Sequence, residues 1–248
     1  MSDRGQRLVI DIGNTFIHWG RLGDGIVDHG RLPHDEAGRF ASQVLKERGG
    51  TVVVASVNPR PLQALCQGLE EAGARVIELR YGVTWKPKVL VDTPAEVGID
   101  RLVNARAVKE SHPEGAIIVD HGTALTVDFI APGGCYAGGV IVPGIQMAAR
   151  VLSEKTALIP RVSTHRPHSV VGTNTSDCIS AGLYYGMVGM VEAVVRRIRL
   201  EKGGDFPVLV TGGDASFIVE ESTLPMVLDP LLTLRGLALA GDDAGLWS

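Results

Sequence analysis

The sequence predicts an α/β protein made of two related halves, each a layer of strands with helices packed on it. Two observations carry this. An apolar strand, an Asp-x-Gly turn and a second β-branched strand occur at Leu8–Gly20 (LVIDIGNTFIHWG) and return about 110 residues later at Ala116–Ile130 (AIIVDHGTALTVDFI). Each copy also opens the same order of strand, strand, strand, helix. Solenoid repeats are much shorter, so self-similarity on this scale indicates a duplicated domain. With 248 residues, a division into 1–112 and 113–248 gives two domains of ordinary size.

In the first half, strands are expected at Leu8–Asp11, Phe16–Leu22 and Gly25–Leu32, followed by a helix over Asp35–Arg48, where Ala37, Phe40, Ala41, Val44 and Leu45 recur at helical spacing. Thr51–Val57 is a continuous β-branched run that reads as a buried parallel strand. Pro59–Ala72 reads as a helix with proline near its start, and Arg75–Leu79 as another strand. Trp85–Thr93 has no clear pattern. Pro94–Ser111 enters a helix near Gly98 and joins the halves. The second half repeats the order with strands at Ala116–Asp120, Leu125–Ile130 and Cys135–Val142, then a helix from about Gly144 to Ser153.

Leu158–Val171 is irregular. Ser176–Leu200 reads as a long helix with an apolar stripe that includes Met187, Val191 and Val195. Gly182, Gly186 and Gly189 lower its helix propensity and indicate close packing against another helix. A strand at Val208–Thr211, a Gly212-Gly213-Asp214 turn, a helix to about Glu221, a strand at Met226–Leu228 and a helix from Leu231 complete the chain.

Composition is that of a soluble enzyme, with 45% hydrophobic and 21% charged residues. The net charge of −4 and the absence of a basic block give no reason to expect nucleic acid. Cys66, Cys135 and Cys178 form no CxxC pair and read as reduced core thiols, and the seven histidines show no metal spacing. The N-terminus, MSDRGQR, lacks the apolar segment of a signal peptide, and no apolar run approaches the length of a membrane span. A cytoplasmic protein is expected.

The chemistry is expected at the turns. Gly13 lets a backbone approach a ligand closely, Asn14 and Thr15 offer side-chain donors, and Asp11 can hold a hydrated divalent cation, a set that suits a polyphosphate. An Asp-x-Gly turn is also an ordinary hairpin, and only the second copy, Asp120-x-Gly122-Thr123, raises it above that. Gly98-Ile99-Asp100-Arg101 puts an acid and a base at a helix start. Asp100 there either complements the helix dipole or takes a proton from an attacking hydroxyl while Arg101 fixes an anionic group. The glycines of Gly138–Gly144 (GGVIVPG) allow a ligand or another backbone to come close. Thr211-Gly212-Gly213-Asp214 reads as a strand-to-helix turn or as a slot for a purine.

In this order, and over almost the whole chain, these motifs resemble the type III pantothenate kinases, also called the Bvg-accessory-factor family. The resemblance implies two ribonuclease-H-like domains of the actin, Hsp70 and sugar-kinase superfamily with a nucleotide cleft between them. It implies transfer of the ATP γ-phosphoryl group to pantothenate, the first step of coenzyme A biosynthesis. Asp11, Ile12, Gly13, Asn14, Thr15, Phe16, Ile17 and His18 would form the first phosphate hairpin, and Thr123 would touch ATP. Gly98, Ile99, Asp100 and Arg101 would hold pantothenate, with Asp100 the proton acceptor. Asp120 would ligate a monovalent cation, K⁺ or NH₄⁺, and Asp11 would hold Mg²⁺ through water. Thr175 would reach pantothenate from the partner subunit of a homodimer, or serve as a helix N-cap.

Two positions depart from the family pattern: Val91 stands where a tyrosine is frequent, and His121 where an apolar residue is common. The alternatives are a catalytically silent nucleotide-binding regulator and a kinase of the same superfamily acting on another small alcohol.

Overall fold

The computed structural model describes residues 6–45 and 49–247. Its first sheet has the order β3-β2-β1-β4-β5, from β1 (Gln6–Ile12), β2 (Phe16–Gly23), β3 (Gly25–Pro33), β4 (Gly50–Ser56) and β5 (Arg75–Glu78). β2 runs antiparallel to β1, and β4 parallel to it. Successive residues of β1 and β4 are fully buried, because both faces of the sheet are covered. Leu8, Ile10, Val52 and Val54 enter a core with Phe40 and Val44 of α1 (Ala37–Val44) and Leu65 and Leu69 of α2 (Pro59–Glu71). The helix expected over Asp35–Arg48 is a 3₁₀ turn at His34–Glu36 followed by α1, and residues 46–48 of that expectation lie outside the described residues. So do residues 1–5 of the N-terminal stretch.

The second sheet repeats this arrangement. Its order is β10-β9-β6-β7-β8, from β6 (Ala116–His121), β7 (Ala124–Ala131), β8 (Cys135–Pro143), β9 (Val208–Thr211) and β10 (Val227–Leu228). β7 is antiparallel to β6, and β9 parallel to it. Ile117, Val119 and Val127 share a core with Ile145 of α4 (Ile145–Lys155), Val191 and Val195 of α5 (Thr175–Lys202) and Ile218 of α6 (Ser216–Glu221). Two sheets with the same central hairpin and the same pair of parallel strands on one side are the structural form of the repeat.

The chain divides into two compact units, residues 1–113 with 132–136 and 231–248, and residues 114–131 with 137–230. The C-terminal segment groups with the first unit. There α7 (Leu232–Asp243) lies on α3 (Ile99–Ser111), and a β-carbon on Gly236 would overlap the Val103 carbonyl, so the two helix backbones touch. The 132–136 turn belongs with the stretch left unassigned in sequence: Leu90 N–H donates to Tyr136 O (2.8 Å) and Tyr136 N–H to Lys88 O (3.2 Å).

Two expectations need correction. Cys135 is buried, but Cys66 is only half-buried and Cys178 is exposed, so the three cysteines are not all core thiols. Helix α5, at 28 residues with an 18-residue window of mean hydropathy 1.5, is long and apolar enough to cross a membrane, against the expectation that no such run exists. That window is 39% buried inside the protein, with its apolar stripe in the second core.

Arg106 clamps α7 to α3: its Nε and Nη2 donate to the two carboxylate oxygens of Asp243 at 2.6 and 3.0 Å, and Nη1 donates to Glu110 at 2.9 Å. The Arg106 hydrogen bonds hold the Asp243 carboxyl below its ordinary value. Stability from a lowered carboxylate is complete above its unfolded pKa and is lost as pH falls through the folded one. Asp243→Asn is expected to cost about 1 kcal/mol at pH 7, at the low end for a charged pair because Asp243 is partly exposed. Urea denaturation at pH 7 and in steps below pH 4 should show the difference from the unaltered protein shrinking on acidification.

Candidate active site

The first hairpin is set by its apolar pegs. Ile12 and Ile17 face each other across β1 and β2 and are fully buried, so only their backbones are available to a ligand. Between them Gly13 N–H donates to Phe16 O at 3.0 Å and closes the turn. His34 Nε2–H donates to Gly13 O at 3.0 Å and ties the turn to the 3₁₀ segment. Asn14, Thr15 and Phe16 are exposed at the tip, with Asp11 and His18 half-buried below them. Burial, and then the Arg31 charge, push His18 below its ordinary value, so it is neutral at pH 7.

Gly98 begins α3 at the same carboxyl end of the sheet. Val57 N–H donates to Ile12 O at 3.1 Å, and the Val57 side chain stands beside Gly98. Asp100, half-buried, accepts the Arg101 N–H at 2.8 Å, so the dipole-complementing role of a first-turn acid is met. Ile99 is the buried peg that fixes this turn. The Arg101 guanidinium lies 5.3 Å from the ring of buried Tyr136, a cation–π contact that steadies it. Val91 is half-buried in the strap before this helix.

In the second unit three motifs converge on one turn. Gly122 N–H donates to Ala124 O (3.0 Å), and Gly144 N–H donates to Thr123 O (3.0 Å). A β-carbon on Gly144 would overlap the Gly122 and Thr123 carbonyls, and one on Gly139 would overlap Asp128 and the Val127 carbonyl. The glycines of GGVIVPG thus make room for backbone. Gly212, at φ +101°, lies against the His121 backbone, and Asp214 N–H donates to His121 O at 3.0 Å. Asp120 and Thr123 are half-buried at this turn. His121 is fully buried, its Nε2 accepts the Ile145 N–H at 3.1 Å, and burial pushes its pKa down.

Thr175 is the first residue of α5 and is exposed. The N-cap is its neighbour Asn174, whose Oδ1 accepts Asp177 N–H at 3.0 Å, so the capping alternative falls one residue earlier. Nothing within 4 Å would meet a β-carbon on Gly182, Gly186 or Gly189. No group of three or more metal-ligating side chains occurs among the described residues. Sequence reasoning missed His34 and Tyr136, whose roles depend on contacts 21 and 35 positions from Gly13 and Arg101 that no spacing rule signals.

The family model for type III pantothenate kinase matches residues 7–197. The type III pantothenate kinase of Myxococcus xanthus is 39% identical over 247 residues, covering 94% of this chain and 96% of that one. Among solved structures, a Baf-family protein of Campylobacter jejuni matches with TM-score 0.65 at 20% identity, over 96% of this chain and 99% of that one. The activator of 2-hydroxyisocaproyl-CoA dehydratase from Clostridium difficile, with bound ADPNP, matches with TM-score 0.56 at 16% identity, over 97% and 96%. The twin sheets with their turns at the strand ends define a duplicated ribonuclease-H-like fold, that of the actin, Hsp70 and sugar-kinase superfamily. Within it, the chain belongs to the type III pantothenate kinase family. It is an ATP-dependent kinase that phosphorylates pantothenate in coenzyme A biosynthesis.

Because Gly144 packs directly on the Gly122 and Thr123 carbonyls, Gly144→Ala should displace the second turn. We expect kcat/KM for ATP to fall at least about tenfold. Initial-rate kinetics across ATP concentrations would check this, alongside circular dichroism to confirm that the fold is retained.

Proposed function

We propose that Asp100 accepts the proton of the pantothenate primary hydroxyl as the ATP γ-phosphoryl group is transferred to it. The observation that carries this is the placement of Gly98, beside Val57, at the same carboxyl end of β1 and β4 as the Asp11–His18 hairpin. Ligands of open α/β sheets bind outside the carboxyl ends of the strands. The backbone amides of the turn, with Asn14 and Thr15, suit the ATP phosphates, and Thr123 is the ATP contact in the second unit. Gly98, Ile99 and Arg101 hold pantothenate, with the Arg101 guanidinium on its carboxylate. The transition state of phosphoryl transfer is loose, so positioning and charge neutralisation supply most of the acceleration and proton removal a smaller share.

A half-buried carboxylate beside an exposed turn suits Mg²⁺, which keeps most of its waters and takes one or two carboxylates. Asp11 is that group, and the ion would neutralise the β- and γ-phosphates. Asp120, half-buried next to the carbonyl-rich Gly122–Thr123 turn, suits a monovalent cation, K⁺ or NH₄⁺. The open glycine stripe of α5 and the exposed Thr175 at its start support a homodimer in which Thr175 reaches the partner's pantothenate. The protein acts in the cytoplasm.

Asp100→Asn should lower kcat by about 10²–10⁴-fold, with the affinity for a non-hydrolysable ATP analogue unchanged. A coupled assay of ADP release with pantothenate, together with calorimetric titration of the analogue, measures both. Unchanged turnover would remove Asp100 from the reaction.

Replacing K⁺ by Na⁺ at constant ionic strength should collapse the rate, and NH₄⁺ should restore it. Equal rates in all three salts would dismiss the monovalent site at Asp120.

A further inference from the structure

We propose that His121 is a positioning residue whose ring caps helix α4 and so locks the Gly122–Thr123 turn in the shape that meets ATP. The inference rests on the reading that Thr123 contacts ATP. The first N–H of a helix has no partner within the helix, and the residue before α4 is Gly144, which has no side chain to supply one. His121, 24 positions earlier, does so: its Nε2 accepts the Ile145 N–H at 3.1 Å. The neighbouring N–H, of Gly144, donates to Thr123 O. Two successive amides at the head of α4 are thereby tied to the side chain of His121 and the carbonyl of Thr123. The His121 carbonyl takes the Asp214 N–H, so one residue joins the three glycine motifs of this unit.

The bond fixes the tautomer. A nitrogen that accepts an amide proton carries none of its own, so the ring proton is on Nδ1. That atom is buried and has no hydrogen-bond partner among the described residues, and the ring meets Phe217 edge-on with centroids 5.4 Å apart. A buried donor left unpaired is unfavourable, and an apolar side chain would avoid it. What an apolar side chain lacks is the acceptor for Ile145, and that acceptor is the reason for a histidine here.

In the unaltered protein at neutral pH, ¹⁵N spectroscopy should find His121 Nε2 unprotonated and Nδ1 protonated, and the Ile145 amide should be protected from hydrogen exchange. The opposite tautomer, or an Ile145 amide exchanging at the rate of an open one, would overturn the inference without any mutation. His121→Leu should expose that amide and raise KM for ATP about tenfold with KM for pantothenate unchanged, and His121→Gln, which keeps an acceptor, should restore both. An unchanged Ile145 exchange rate in His121→Leu overturns the capping role. Should Thr123→Ala leave KM for ATP unchanged while Ile145 opens in His121→Leu, the ATP contact of Thr123 fails and the cap of α4 stands.

Discussion

Backbone laid directly on backbone, with no space for a β-carbon, is the constraint on which the arrangement of both units depends. Gly236 brings α7 against the Val103 carbonyl of α3, while Gly139 and Gly144 bring β8 and its end onto β7 and the second turn, and Gly212 brings the end of β9 onto the His121 backbone. A side chain can adjust its rotamer to a poor fit, whereas a carbonyl in a hydrogen-bonded strand cannot, so these contacts admit little compromise. The polar groups held above them are correspondingly fixed. For a reaction whose acceleration comes mainly from holding charged oxygens in line, that rigidity is the useful property.

The two turns reach similar ends by different means. In the first, the apolar pegs Ile12 and Ile17 set the hairpin, and His34, from beyond β3, fastens the Gly13 carbonyl. In the second, the fastening comes from within the turn itself, through the ring and the carbonyl of His121. The matching strand orders show what duplication kept, and the unlike histidines show what each half added. Each turn carries a half-buried aspartate at its strand end, Asp11 and Asp120, and no cluster of three or more metal-ligating side chains occurs among the described residues.

Most of the fold is legible because its strands are either continuous β-branched runs or hairpins flanking Asp-x-Gly, and because the repeat supplies the same pattern twice. Thr51–Val57 is an example: only a strand covered on both faces needs four successive buried residues, Val52 to Ala55. The return of α7 to the first unit is not legible, since a helix pattern shows which face is apolar and not which sheet will cover it. Gly236 was a visible glycine in a helix, but its meaning depends on Val103, which lies 133 positions away. The strap at Trp85–Thr93 escaped for a related reason. It is held by backbone hydrogen bonds to Tyr136, and backbone groups leave no mark on the sequence.

The site is legible to a different depth. Motif spacing singles out Asp11, Asp100, Asp120 and Thr123 as candidates, because each stands within two residues of a glycine at a turn or helix start. It does not bring out what holds them, since a supporting contact can come from any part of the chain. Tyr136 beneath Arg101 illustrates the difference: the guanidinium rests against a buried aromatic ring 35 positions further along the chain, a support that the Gly98–Arg101 motif does not signal.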